Sequence, residues 1–292
     1  MGRPAFALLA IAATFASLAG PAMAADAKAE NDATKGPLRI CAADNEEPYS
    51  SSDGTGFENK IGEIIAKAMG REPEFVWYEK PAIYLVRDQL NKNACDIVIG
   101  LDTGDERVAT SKPYYRAPYV FILPKDSKLD IKDWDSPDLD KANNIGMAQD
   151  GPAQVMMEKR GLFNRNFNYM KSLIGFKSKR NQYVRVPPDK LVGDVADGKA
   201  DVAIGFAPEV ARYVKRRGDR LKMVVIPDNA TRGDGERVPF HFDQSFGVRK
   251  DDKQLLSAVN DALEKAQPEI EGVLKEEGIP LEEPKTPEGR AG

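Results

Sequence analysis

Histidine is almost missing from this 292-residue chain, in which His241 stands alone. No Ser-His-Asp or Cys-His nucleophile can be assembled without that one imidazole. Its setting, Val238-Pro239-Phe240-His241-Phe242-Asp243, reads as a packing residue among aromatics rather than a general base or metal ligand. Cysteine is nearly as scarce, with only Cys41 and Cys95. There is no G-x-x-x-x-G-K-[ST] loop and no G-x-G-x-x-G after a strand, so nucleotide chemistry has no visible machinery. A superficial calcium loop runs from Asp228 to Glu236, but Ala230 and Arg232 stand where such a loop needs oxygen ligands. It reads as a polar surface loop, and no metal site or cofactor is assigned to the chain.

Positive charge is also in deficit, with a net charge of -4. That argues against a nucleic-acid binder, which would show a basic face. The cluster Lys215-Arg216-Arg217 ends an expected helix before Gly218, where cations complement the helix dipole. Past the first two dozen residues no apolar run is long enough to span a bilayer, so no stable membrane insertion is expected.

What is present begins at the N-terminus. Arg3, an uncharged run from Ala5 to Gly20 and Pro21-Ala22-Met23-Ala24 form the pattern of a secretory signal cleaved between Ala24 and Ala25. Residues 1–24 are read as that signal and residues 25–36, polar and without apolar periodicity, as a disordered leader. Removing the signal takes away only Arg3, so -4 becomes -5. An exported chain meets an oxidising compartment, which favours a Cys41–Cys95 disulfide over two small buried residues that never meet.

From Leu38 onward two hydrophobic rhythms alternate. Leu38 to Ala42 reads as a strand; Phe57, Ile61, Ile64, Ile65, Ala68 and Met69 as a helix face ending at Gly70; Phe75 to Tyr78 as a strand; Leu85, Val86 and Leu90 as a second helix; and Asp96 to Gly100 as a continuously apolar strand. The series then repeats. Ile145 to Met147, a helix from Ala153 to Arg160, Tyr183 to Val186, a helix face at Leu191, Val192 and Val195, and Asp201 to Gly205 come in the same order. Two α/β lobes of related topology are the simplest source of that repetition.

Tyr119 to Pro124 and Gln244 to Arg249 read as strands passing between the lobes, and the helix carrying Leu255, Leu256, Val259, Leu263 and Ala266 as a return to the first. The expected division is lobe I at residues 37–121, lobe II at 122–246, and 247–292 as the return to lobe I with a C-terminal tail. In open α/β sheets ligands gather beyond the carboxyl ends of the strands, so the loops after Ala42, Gly100 and Gly205 should face a central cleft. The candidate cleft residues are Asp44, Asn45, Tyr49, Asp102, Thr103, Arg107, Tyr114 and Phe206. Arg107 could clamp a carboxylate with its planar fork, or pair with Asp105 or Glu106. Trp77, Tyr78 and Tyr114-Tyr115 could form an aromatic wall, although a strand tryptophan such as Trp77 more often belongs to the core.

Leu38 to Cys41, Gly56 to Ile61, the Asp96 to Gly100 strand, Tyr114 to Phe121 and Phe246 to Asp252 together resemble the solute-binding proteins of amino-acid ABC transporters. Both cysteine contexts, Glu58-Asn59-Lys60, Lys80 to Asp88 and Glu269 to Gly278 are similar to a branch of that superfamily associated with quinoprotein alcohol dehydrogenases. The resemblance implies a type II periplasmic binding protein fold of two α/β lobes, a hinge of two crossing strands and a central cleft. It also implies a non-enzymatic accessory role in methanol oxidation. The implied partner is methanol dehydrogenase, a quinoprotein whose own cofactor is pyrroloquinoline quinone with a metal ion. The alternative is a transporter subunit for an amino acid or other small acid. In similar amino-acid binders an arginine after the third strand holds the carboxylate, near Arg107, and an acid in the second lobe holds the ammonium. Phe206-Ala207-Pro208 occupies the latter place, with Glu209 slightly late, so tight binding of a free α-amino acid is not expected.

Overall fold

The structure, a computed structural model, describes residues 2, 36–174 and 185–285. The signal, nearly all of the leader and the first half of the strand expected at Tyr183 to Val186 lie outside the described residues. Arg185 and Val186, the described remainder of that segment, are not in a strand. The described residues from 36 onward form one compact unit.

The apolar strand Leu38–Ala43 lies between Pro73–Tyr78 and Ile97–Asp102, parallel to both. Parallel strands need crossover connections, and helix Phe57–Ala68 supplies the first. It buries Ile61 and Ile65 in the same core as Leu38, Ile40 and Ile97. Each such aliphatic side chain removed from water contributes about 1.5–3 kcal/mol. The second crossover departs from the expected helix at Leu85 to Leu90. Only Leu85–Asp88 is α-helical, with 3-10 turns at Ala82–Tyr84 and Leu90–Lys92. Gln89 leaves helical geometry and Asn93 adopts a left-handed conformation, so the segment breaks while still burying Leu85, Val86 and Leu90.

A second parallel pair, Ile145–Met147 with Val202–Phe206, forms the other lobe. Around it pack Pro152–Lys159, Pro188–Ala196, Ala207–Arg216 and a helix absent from the sequence-based expectation, Leu162–Leu173. Its buried residues, Leu162, Asn166, Met170 and Leu173, recur at helical spacing. Met156, Met170 and Val202 share a core with Phe121, Trp134 and Phe240.

The lobes are joined by the long strands Tyr115–Pro124 and His241–Val248, which pair antiparallel over Tyr115 to Pro118 and His241 to Gln244. Beyond that crossing they diverge. Tyr119 to Ile122 pairs with Ala203 to Phe206 in one lobe, and Gln244 to Gly247 pairs with Val98 to Asp102 in the other. The terminal helix Lys253–Glu277 then packs on Phe57–Ala68. Asp252 caps it by accepting from the Leu255 N–H at 3.2 Å, and Gly278 closes it at φ 80°.

Cys41 and Cys95 are disulfide-bonded, fastening the first strand to the residue pair that opens the third. In the loop from Asp228 to Glu236, Arg232 pairs with Asp234 and Glu236. Trp77 corrects the core expectation, since it is 38% exposed and stacks on Phe75 at 5.2 Å. His241 is held by packing partners, with Nε2 2.7 Å from the Ile226 carbonyl and Nδ1 2.5 Å from Glu282.

Candidate functional site

A cavity of about 300 Å³ opens at the carboxyl ends of Leu38–Ala43 and Ile97–Asp102, where a parallel sheet leaves its strand ends unblocked. Ile40, Ala42, Phe75, Leu85 and Ile99 belong to its apolar lining, and Phe206 joins them from the second lobe. Its polar lining is Glu46, Tyr49, Ser50, Glu58, Asn59, Asp102 and Gln244. Among the described residues no lysine, arginine or histidine lines it.

Of the candidate cleft residues, Tyr49, Asp102 and Phe206 line this cavity. The other five lie outside its wall. Asp44 turns the chain, its N–H donating to the Tyr78 carbonyl at 3.0 Å, and Asn45 is exposed. Thr103 Oγ1 is 2.7 Å from Ser245 Oγ. Tyr114 is fully buried, 4.8 Å from the Phe246 ring and 4.9 Å from that of Tyr115. Arg107 is gripped by Asp105, with Nη2 donating to Oδ2 at 2.6 Å, and also donates to the Ile83 carbonyl at 3.2 Å. Of its two readings the structure therefore has the local pair.

Residues the sequence did not single out complete the wall. Glu46 accepts from the Ala82 N–H at 2.6 Å and from Arg185 at 2.6 Å. Arg185 also donates to Glu209 at 3.0 Å, joining a residue of each lobe. Asp102 accepts from the Gln244 amide at 2.7 Å. Asn59 is buried and holds the chain beside Ser50, accepting from the Ser51 N–H at 3.0 Å.

Glu58 differs from these. It lies in the first turn of Phe57–Ala68, half-buried, and no hydrogen bond or ion pair reaches its carboxyl group among the described residues. Its carboxyl rests against Gly100, where an added Cβ would fall 2.0 Å from Oε1, and Gly100 itself takes φ 73°. Burial, reinforced by the Glu46 charge, raises its pKa well above the usual carboxylate value. The same enclosure pushes up three tyrosines. Burial dominates for Tyr49, Tyr114 and Tyr115, and Glu58 adds to each. Glu58 and Asn59 carry a signal in the sequence through the Glu58-Asn59-Lys60 run, and that signal speaks of kinship rather than of a site.

Two α/β lobes, two crossing strands and a walled cleft define a solute-binding protein. The chain belongs to the bacterial extracellular solute-binding proteins, family 3, which it matches over residues 38–271. Within that family its likeness is to the MoxJ group. It is 46% identical to protein MoxJ of Methylorubrum extorquens over 94% of this chain and 93% of that one. The MoxJ of Paracoccus denitrificans is 39% identical, over 91% and 93%. The crystal structure of MxaJ from Methlophaga aminisulfidivorans MPT, 53% identical, superposes with a TM-score of 0.80 over 84% of this chain and 100% of that one.

Proposed function

We propose that this protein is a periplasmic, binding-protein-like accessory factor of methanol oxidation that assists the assembly or activity of quinoprotein methanol dehydrogenase. The observation that carries the reading is the extent of the likeness to MoxJ, which spans 94% of the chain and so includes both lobes and the cleft. In this reading lobe I is residues 37–121 with 247–292, lobe II is 122–246, and the signal at 1–24 delivers the protein to the periplasm. The protein acts by binding and not by catalysis. Its histidine is engaged at the crossing strands and its thiols are bonded to each other, which leaves neither for nucleophilic work.

The candidate cleft, reduced to Tyr49, Asp102 and Phe206 and extended by Glu46, Glu58, Asn59 and Gln244, is the site offered to any small ligand. It does not suit an α-amino acid, because Arg107, the arginine expected to hold the carboxylate, does not line the cavity. The test is a clean deletion grown on a second carbon source while methanol dehydrogenase is induced. Dehydrogenase polypeptides should be made and exported in normal amount, with activity per mole of subunit and quinone occupancy reduced. Wild-type activity and occupancy would refute the accessory reading and favour transport of a solute.

A further inference from the structure

The cleft cavity is apolar in most of its wall and acidic in the rest. Three carboxyl groups line it, and they are not equivalent. Glu46 has both oxygens occupied, one by the Ala82 N–H and one by Arg185. Asp102 lies at the exposed edge and accepts from Gln244. Glu58 has no donor among the described residues. A half-buried ionised carboxylate without a partner carries a desolvation cost, and a cation brought into contact with it offsets that cost.

We propose that this cavity binds a compact alkylammonium ion that carries no carboxylate, with Glu58 as its charge partner. The aromatic side chains of Tyr49, Phe75 and Phe206, all in the wall, suit the same class of ligand, since a cation is attracted to an aromatic ring. The volume of about 300 Å³ corresponds to roughly ten water molecules at ~30 Å³ each, room for an ion of a few heavy atoms. An anion meets the opposite conditions. No cationic side chain among the described residues lines the wall, Arg107 is held by Asp105, and Arg185 is shared between Glu46 and Glu209. A carboxylate entering would face three carboxyl groups with no donor of opposite charge.

The pairing also couples binding to protons. Burial and Glu46 favour the neutral form of Glu58, and a bound cation favours the ionised one. The other groups around it are Glu46, Asp102, Arg185 and the hydroxyls of Tyr49, Tyr114 and Tyr115. Burial raises all three tyrosines, which stay neutral through the range in which Glu58 titrates. Cation affinity should therefore rise with pH as Glu58 loses its proton.

The experiment uses three probes of similar size and three charges: n-butylammonium, n-butanol and n-butyrate, titrated calorimetrically into the purified mature protein. Saturable binding is expected for n-butylammonium, at least tenfold tighter than for either of the others. Glu58→Gln should remove that preference while keeping the fold, because glutamine fills the same space without charge. Asp53→Asn, a change at a carboxylate outside the cavity, should leave it intact. Equal affinity for the three probes, tighter binding of butyrate, no saturable binding of any, or full cation affinity in Glu58→Gln would overturn the proposal. Should that variant fail to fold, the comparison of probes on the unaltered protein decides. The proposal goes beyond the accessory reading and is measured on the isolated protein, so its failure and that of the deletion test are separate results.

Discussion

Glu58 occupies a position at which sequence periodicity assigns a solvent-facing polar residue. Phe57 and Ile61 mark the buried stripe of the helix, and Glu58 falls beside it. What encloses it is the backbone at Gly100, some forty residues away and invisible to a local pattern. Arg107 shows the reverse. Both of its readings are legible in the sequence, and the pair with Asp105 prevails because a turn brings the two groups together without ordering any distant segment. For Glu58 the folded chain holds a proton to higher pH than the unfolded chain, whose carboxyl titrates at about 4.3. The stability contribution of the neutral form is thus fully present below that value and is lost as pH rises through the raised folded one. Glu58→Gln should match the parent protein near pH 4. At pH 8 it should be the more stable, because glutamine has no proton to lose and no charge to bury. Urea midpoints at the two pH values measure this. A loss of stability at pH 8 would mean that the ionised carboxylate has a favourable partner.

Among the elements, those whose burial keeps a simple period are legible. Leu38–Ala43 and Ile97–Asp102 are nearly continuous apolar runs because helices cover a parallel sheet on both faces. The helix over Leu162–Leu173 escapes the pattern where its stripe includes Asn166, a polar side chain buried because its Oδ1 accepts from the Ile145 N–H at 2.7 Å. The broken segment Ala82–Lys92 is less helical than its periodicity suggests, since three buried apolar side chains at helical spacing do not require a continuous helix between them. The disulfide belongs to this scale because it joins neighbouring strands. Cys41 lies in one, and Cys95 leads into the other with a Cα–Cα separation of 5.4 Å. Closing a loop of 54 residues constrains the unfolded chain by about 4 kcal/mol in the chain-entropy model. Cys41→Ala with Cys95→Ala should lower the unfolding free energy by up to about that amount, read from the denaturant midpoint under non-reducing conditions. An unchanged midpoint would show that the bond adds nothing to the strand pairing already present.

At the scale of the whole molecule, two crossing strands link the lobes, and apolar contacts together with a small set of ion pairs join them. Arg185 bridges Glu46 and Glu209, but it is 43% exposed, and such pairs contribute about 0–1 kcal/mol. Arg212 is the stronger tie. It rises from helix Ala207–Arg216 in one lobe, donates to both oxygens of Glu277 at 2.6 and 2.9 Å, and reaches the Thr55 carbonyl at 2.9 Å in the other. Both side chains of the pair are 8% exposed. Removing one partner of a buried ion pair costs about 3–5 kcal/mol, because the remaining charge is left without compensation. In a one-lobed protein that charge has no escape short of unfolding. Here separation of the lobes returns Glu277 to water at the expense of the interlobe contacts alone, so Arg212→Met should open the cleft. The expected outcome is a larger radius of gyration by small-angle scattering and a stability loss below about 3–5 kcal/mol. Adding Glu277→Leu should restore the compact dimension, since no stranded charge then drives the opening. If Arg212→Met keeps the parent radius and loses the full amount, the lobes do not part under this load, and closure rests on the apolar contact between the helices rather than on the pair.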